Sequence, residues 1–214
     1  MSGNFFEGAV LSCISICLHI VHAKNKRISK EKDRYVKLLS TVSSLSTIRD
    51  NNSSQELLDF VVDIVKSTLD CERASIYFCD AVNHDLFIVS KSIDTLKTGL
   101  TIAYGQGIAG KFAASSKVIR IDDVLADKDH LKTVDEITGF MTKSVLCVPV
   151  LDENGGKPLA VIQAVNKNDL SAFNNDDEFY LSYIAKQCYL SLKAHARIIT
   201  NSHTSESDLN STKN

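Results

Sequence analysis

The 214-residue chain has no Trp, only 2 Pro and 9 Gly, and no excess of either charge, with 24 Lys plus Arg against 26 Asp plus Glu. A net charge of −2 excludes a protein that holds nucleic acid by neutralising phosphates. Global disorder is excluded as well. With 44% hydrophobic and 23% charged residues, the chain can offset its ordering entropy by burial. The length suits one globular domain of about 150 residues with a surplus of about sixty.

Chemical signatures are also few. The six cysteines, at 13, 17, 71, 79, 147 and 188, form no CxxC pair and have no His at metal-ligand spacing. Most sit in apolar runs, which favours buried free thiols in a reducing cytosol over a disulfide framework. No clustered His and Asp set and no GxSxG occurs, so no local catalytic or metal signature is present. The most apolar stretch, residues 9 to 21, covers only ~20 Å as a helix, too short to span a bilayer. A signal peptide fits that length, but Glu7 precedes the run and no Lys or Arg does. Leu11, Ile14, Leu18 and Val21 recur at helical spacing, so a buried or dimer-forming helix is preferred.

The charged stretch Asn25 to Asp33 either continues this helix or links it to the next. Tyr35, Leu38, Leu39, Val42 and Leu45 mark a second helix, and Ser54 is positioned to cap a third that carries Leu57, Leu58, Val61, Val62 and Val65. From Arg73 the period becomes two. Residues 74–79 and 86–93 read as paired strands, 100–103 and 118–121 as short ones, and 144–151 and 159–166 as a hairpin about Gly155-Gly156. A last helix is expected over 176–199, followed by a disordered Ser/Thr/Asn-rich tail. Strands between flanking helices indicate an α+β domain with an antiparallel sheet. Phe6, His22, Ala23 and Lys24 stand 173 positions before Phe179, His195, Ala196 and Arg197, which suggests that the first helix closes a preceding copy of the same domain.

Gly105-Gln106-Gly107-Ile108-Ala109-Gly110 has the GxGxxG form but no Rossmann-type βαβ context. A different use is open to it, since backbone N–H groups at a glycine-opened helix start can receive a phosphate. Gln163, in an otherwise apolar strand, needs a partner if buried, either a ligand or a satisfied network.

Asn166-Lys167, Phe173 and Asp177-Glu178 reproduce the NKxnFxxxDE motif. Together with the Ser-Ile-Tyr-Phe strand, Gly-Gln-Gly-Ile-Ala-Gly, Asp135-Glu-Ile-Thr-Gly-Phe-Met-Thr142 and Val161-Ile-Gln-Ala-Val-Asn-Lys167, in that order, they resemble the GAF domains of cyclic nucleotide phosphodiesterases over about residues 35 to 198. The resemblance implies a GAF fold with a sheet of about six strands and long terminal helices. It divides the chain into a connecting helix from a preceding domain (1–34), a GAF domain (35–198) and the tail (199–214).

What the resemblance implies for function is regulatory binding of cyclic AMP or cyclic GMP, with no cofactor and no catalysis in this chain. Position by position, Ser75 would face the purine, Ile93 and Asp94 would take the places of an aromatic stacking residue and an acidic purine contact, and Ile108 and Ala109 would offer backbone N–H to the cyclic phosphate. Asp135, Thr138 and Thr142 would cover the nucleotide, and Gln163 would reach in from the last strand. Asn166, Lys167, Phe173, Asp177 and Glu178 would support the pocket, with a Lys–Asp ion pair beneath it. The expected partners are the cyclic nucleotide, a phosphodiesterase catalytic domain in cis and a second copy through the terminal helices, in the cytoplasm with no membrane span. Ile93, an aliphatic where the family stacks a ring, favours a second reading, a ligand-free dimerisation and interaction module. A third reading is an enzyme of the free-methionine-sulfoxide reductase type, which would need reactive cysteines.

Overall fold

The structure, a computed structural model, describes residues 18–36, 38, 40, 54–80, 83–88, 101–126, 140–151 and 154–211. The chain divides into two compact units, Met1–Ser40 and Thr41–Asn214. In the first, residues 18–36 form helix α1, so the charged stretch 25–33 is helical and the expected boundary at 34/35 falls inside a continuous helix. Lys, Arg and Glu dominate that stretch and neither Gly nor Pro interrupts it, so nothing stops propagation. Most of the expected apolar helix 9–21 and of the helix 35–48 lies outside the described residues.

The second unit begins with α2, Ser54–Leu69. Glu56 in its first turn and Lys66 in its last complement the helix dipole. Leu57, Leu58, Val61, Val62 and Val65 fall on one face and are all buried. Strand β1 (Cys71–Asp80) follows after a single residue, Asp70, at positive φ. Then come β2 (Asp85–Ile88), β3 (Thr101–Ala103), α3 (Gly107–Ser115), β4 (Ile119–Ile121), β5 (Val145–Val150), β6 (Ala160–Lys167) and α4 (Asn175–Ser211). The six strands form one antiparallel sheet in the order β3-β2-β1-β6-β5-β4. Gly155 and Gly156, at φ 76° and 110°, turn the chain between β5 and β6, a conformation open to glycine at little steric cost.

Strand β6 is buried along its whole length because both faces of the sheet are covered at its centre. On one face α2 and α4 pack against β1, β5 and β6. On the other, α3 sets Ile108, Ala109, Phe112 and Ala113 into a cluster with Tyr77, Leu86, Ile88, Ile102, Val145, Cys147, Val161 and Val165. Helix α4 continues to Ser211, so the disordered tail expected from residue 199 is corrected. Ser, Thr and Asn each cost only tenths of a kcal/mol relative to good helix formers, and no Gly or Pro follows Asn175 to stop an established helix.

Candidate functional site

The site lies on the α3 face of the sheet. Strand alternation places Arg73, Ser75, Tyr77 and Cys79 on that face of β1. Register then sets Ser75 opposite Gln163 and Gln163 opposite Cys147, a row across three adjacent strands. Ser75 is 4% exposed, Gln163 8% and Cys147 fully buried. Gln163 is thus a polar side chain on a strand whose neighbours Ile162, Ala164 and Val165 are buried and apolar. Tyr77 stands two residues from Ser75 on the same face of β1 and packs in the cluster beneath α3. Burial pushes that phenol up, with the Cys147 sulfur acting the same way and Ser75 against it. Tyr77 belongs to the site, and a sequence reading that stops at Ser75 misses it. The signal was the period-two spacing of Ser75 and Tyr77.

Helix α3 roofs the floor. It starts from Gln106, an extended residue with no side-chain cap bond, and Gly107 enters at φ 60°. Ile108 and Ala109 lie in its first turn, 7% and 5% exposed, where backbone N–H groups have no intrahelical acceptor. Gly110 is required for close approach, since a Cβ there would collide with the carbonyl oxygen of Ala103 on β3. Three bonds tie this corner together: Gln106 N–H to the Ala103 carbonyl at 3.0 Å, Gly110 N–H to Gln106 at 3.1 Å and Gly105 N–H to Gly110 at 2.9 Å.

Residues 140–144 form a wall. Asn166, at φ 52°, accepts from Lys143 N–H (2.8 Å) and Ser144 N–H (3.1 Å) through its Oδ1. Its Nδ2 donates to Glu72 Oε2 (3.0 Å) and to the Met141 carbonyl (2.9 Å), so the amide is fully used. The Arg73 guanidinium lies 3.7 Å from the Phe140 ring centroid, a cation–π contact that fixes the start of this segment. Val124 N–H donates to the Lys143 carbonyl at 2.7 Å. Thr142, within the wall, is 8% exposed. Ile93, Asp94, Asp135 and Thr138 lie outside the described residues.

The remaining motif residues start at the same C-terminal end of β6, directly after Asn166. Lys167 Nζ donates to Asp177 Oδ2 at 2.9 Å, with side chains 6% and 0% exposed. The same Oδ2 accepts from Asn174 N–H at 3.0 Å. Asn174 Oδ1 in turn accepts from the N–H groups of Asp176 and Asp177, capping α4. Phe173 is 3% exposed, and Glu178, half-buried, reaches Arg120 Nη1 at 3.8 Å. Asn166 thus organises the wall, whereas Lys167, Phe173 and Asp177 anchor the start of α4.

The four described cysteines are free. Burial pushes the thiols of Cys71 and Cys188 up to about 12 and that of Cys79 to about 11, and raises Cys147 likewise. Thiolate is therefore scarce at neutral pH, and these sulfurs are poor nucleophiles. Among the described residues no group of three or more His, Cys, Asp or Glu side chains could hold a metal ion. No helix among them is long and apolar enough to cross a membrane.

A six-stranded antiparallel sheet with two helices on one face and a short glycine-opened helix over a polar row on the other defines an α+β domain. Residues 53–192 match the GAF domain, and the chain belongs to that family. It is 28% identical over 175 residues, 76% of its length, to the dual 3',5'-cyclic-AMP and -GMP phosphodiesterase 11A of Takifugu rubripes, and spans 19% of that relative. The GAF domain from a phosphoenolpyruvate-protein phosphotransferase of Coxiella burnetii superposes with a TM-score of 0.60 at 16% identity, over 78% of this chain and 98% of that one. The free methionine-R-sulfoxide reductase of Neisseria meningitidis superposes with a TM-score of 0.58 at 20% identity, over 75% and 89%. These structures share the fold.

Proposed function

We propose that the chain is a regulatory GAF domain that binds cyclic AMP or cyclic GMP and controls a phosphodiesterase catalytic domain in cis, in the cytoplasm. One observation carries the reading: Gln163, a polar side chain in an otherwise apolar strand, is 8% exposed and sits between Ser75 and Cys147 on the sheet face that carries a glycine-opened helix. Such a group is costly unless a ligand completes it. A purine edge suits it, because an amide both donates and accepts. The first-turn N–H groups of Ile108 and Ala109 suit the single negative charge of a cyclic phosphate. In this reading Ser75 and Gln163 contact the purine with Asp94, Ile93 replaces a stacking ring, and Asp135, Thr138 and Thr142 cover the nucleotide. Similarity to a dual-specificity phosphodiesterase supports the ligand class. Isothermal titration with each cyclic nucleotide tests it, with heat of binding expected; no heat from either at millimolar ligand overturns it.

The sulfoxide-reductase reading is disfavoured by the raised thiols of Cys71, Cys79 and Cys147. Dimerisation has support of its own. Phe179 and Leu190, 60% and 56% exposed, lie on one face of α4 with Lys186 and Lys193. The neighbouring helix α2 presents Glu56, Asp59 and Asp63. An apolar-basic stripe beside an acidic one is self-complementary under a two-fold axis, so the occupant of this face is a second copy of the chain. Light scattering is expected to give a dimer for the wild type and a monomer for Phe179→Glu/Leu190→Glu; a monomeric wild type, or an unaffected variant, removes this reading.

A further inference from the structure

We propose that α1 pairs with α1 of a second copy of this chain as a parallel, in-register, two-stranded coiled coil, and that Asn25 is the residue that fixes its register. The inference rests on the dimer reading and deepens it, since that reading draws on α4 and α2 alone.

Val21, Ile28 and Tyr35 recur along α1 at intervals of seven, and Leu18, Asn25 and Lys32 stand three residues before each of them. Steps of three and four in alternation are the spacing of the core positions a and d in a heptad repeat. In the sequence the same steps run through Leu11 and Ile14 upstream and Leu39 and Val42 downstream, so eight of ten positions are apolar and only Asn25 and Lys32 are not. A straight helix drifts by about 20° per heptad, so a stripe held strictly at seven stays in contact only with a helix that supercoils around it. Within α1 the stripe faces solvent: Leu18, Val21, Ile28 and Tyr35 are 64%, 54%, 56% and 54% exposed.

The partner that carries the same repeat is another copy of α1. Lys26, Arg27, Lys30 and Arg34 fall at the outer positions b, c and f, so pairing does not drive them together. The two polar core residues then decide the geometry. In a parallel pair in register, Asn25 meets Asn25 of the other copy, and each amide can donate and accept. In an antiparallel pair an a position meets a d position, which sets Asn25 against an apolar side chain and leaves the amide unpaired. Lys32 limits the number of strands. Leu at a with Ile at d favours larger bundles, but three or four Lys32 ammonium groups around one axis would repel each other in a dry core. In a two-stranded coil each Lys32 stem lies along the edge of the seam and carries its charge out to water. Both polar positions also weaken α1 as a pair on its own, so the α4 contact raises its effective concentration and the dimer needs both.

The test is disulfide trapping in the full chain with Cys13 and Cys17 changed to Ser. Ile28→Cys is expected to give a cross-linked dimer on oxidation by copper phenanthroline, and Lys30→Cys, on the opposite side of α1, to give none. Should Ile28→Cys fold poorly, Val21→Cys is expected to cross-link in its place. By sedimentation equilibrium Asn25→Leu is expected to form species larger than a dimer, and Val21→Asp/Ile28→Asp to weaken the dimer by about tenfold or more. A dimeric wild type in which neither core cysteine cross-links, cross-linking as efficient at Lys30→Cys as at Ile28→Cys, or a strictly dimeric Asn25→Leu overturns the inference while leaving the dimer through α4 in place. So does sedimentation of the chain with phosphatidylserine vesicles in the absence of a core cross-link, which assigns the stripe to a lipid surface. A monomeric wild type overturns both.

Discussion

At the residue scale, the motif that first stood out as a string of letters divides into two jobs. Asn166 joins β6 to the wall 141–144 with three side-chain hydrogen bonds and to Glu72 on β1 with a fourth. Asn166→Ala is expected to lower unfolding free energy by about 2–4 kcal/mol, read by urea denaturation, because several buried partners lose their bonds at once. Lys167 and Asp177 form a buried ion pair at 2.9 Å. Lys167→Met leaves Asp177 as an uncompensated buried charge, so a loss of about 3–5 kcal/mol is expected; the double variant Lys167→Met/Asp177→Leu should recover most of it. A double variant no more stable than the single one would show that the pair is held by something other than its mutual charge. The motif spacing identified these residues. It carried no information on which polar atom meets which, since that depends on the positive φ of Asn166 and on a loop arriving from residues 140–144.

At the element scale, α3 depends on a contact invisible in its own sequence. Gly110 faces the Ala103 carbonyl, so Gly110→Ala must push α3 away from β3. The expected outcome is a lower melting temperature together with weaker nucleotide affinity, measured by calorimetry, since Ile108 and Ala109 move with the helix. Unchanged affinity would separate the first turn of α3 from the ligand. The strands were legible from their period of two, and β1, β5 and β6 lie within a few residues of the expected spans. The body of α4 was legible as well, but its run past residue 199 to Ser211 was not, because polar composition alone does not end a helix when no Gly or Pro does. Arg120 was missed as well. It reaches Asn175 Oδ1 at 2.8 Å and Glu178 at 3.8 Å, joining edge strand β4 to the start of α4. These exposed contacts are worth little in stability, and Arg120→Ala is expected to cost at most about 1 kcal/mol.

At the scale of the whole molecule, the buried thiols tie stability to alkaline pH. Cys71 and Cys79 titrate near 12 and 11 in the fold against 9.0 unfolded, so the native state keeps protons that the unfolded chain releases. Their contribution is complete below about pH 9 and is lost as pH rises through the folded values. Urea midpoints should therefore fall above pH 9 while varying little between pH 7 and 8, and thiol reagents should label Cys71, Cys79, Cys147 and Cys188 slowly at neutral pH. Rapid labelling of these four in the folded state would contradict that burial. The sequence by itself determined the class of fold, the alternation of the strands and the family motif, because periodicity and short-range spacing are written residue by residue along the chain. It did not determine the polar row beneath α3. The row Ser75–Gln163–Cys147 exists only through strand register, and its polar character is unusual only because α3 closes an apolar face around it. Tyr77 joins that face for the same reason: strand alternation sets it two residues from Ser75, and packing beneath α3 gives it its neighbours.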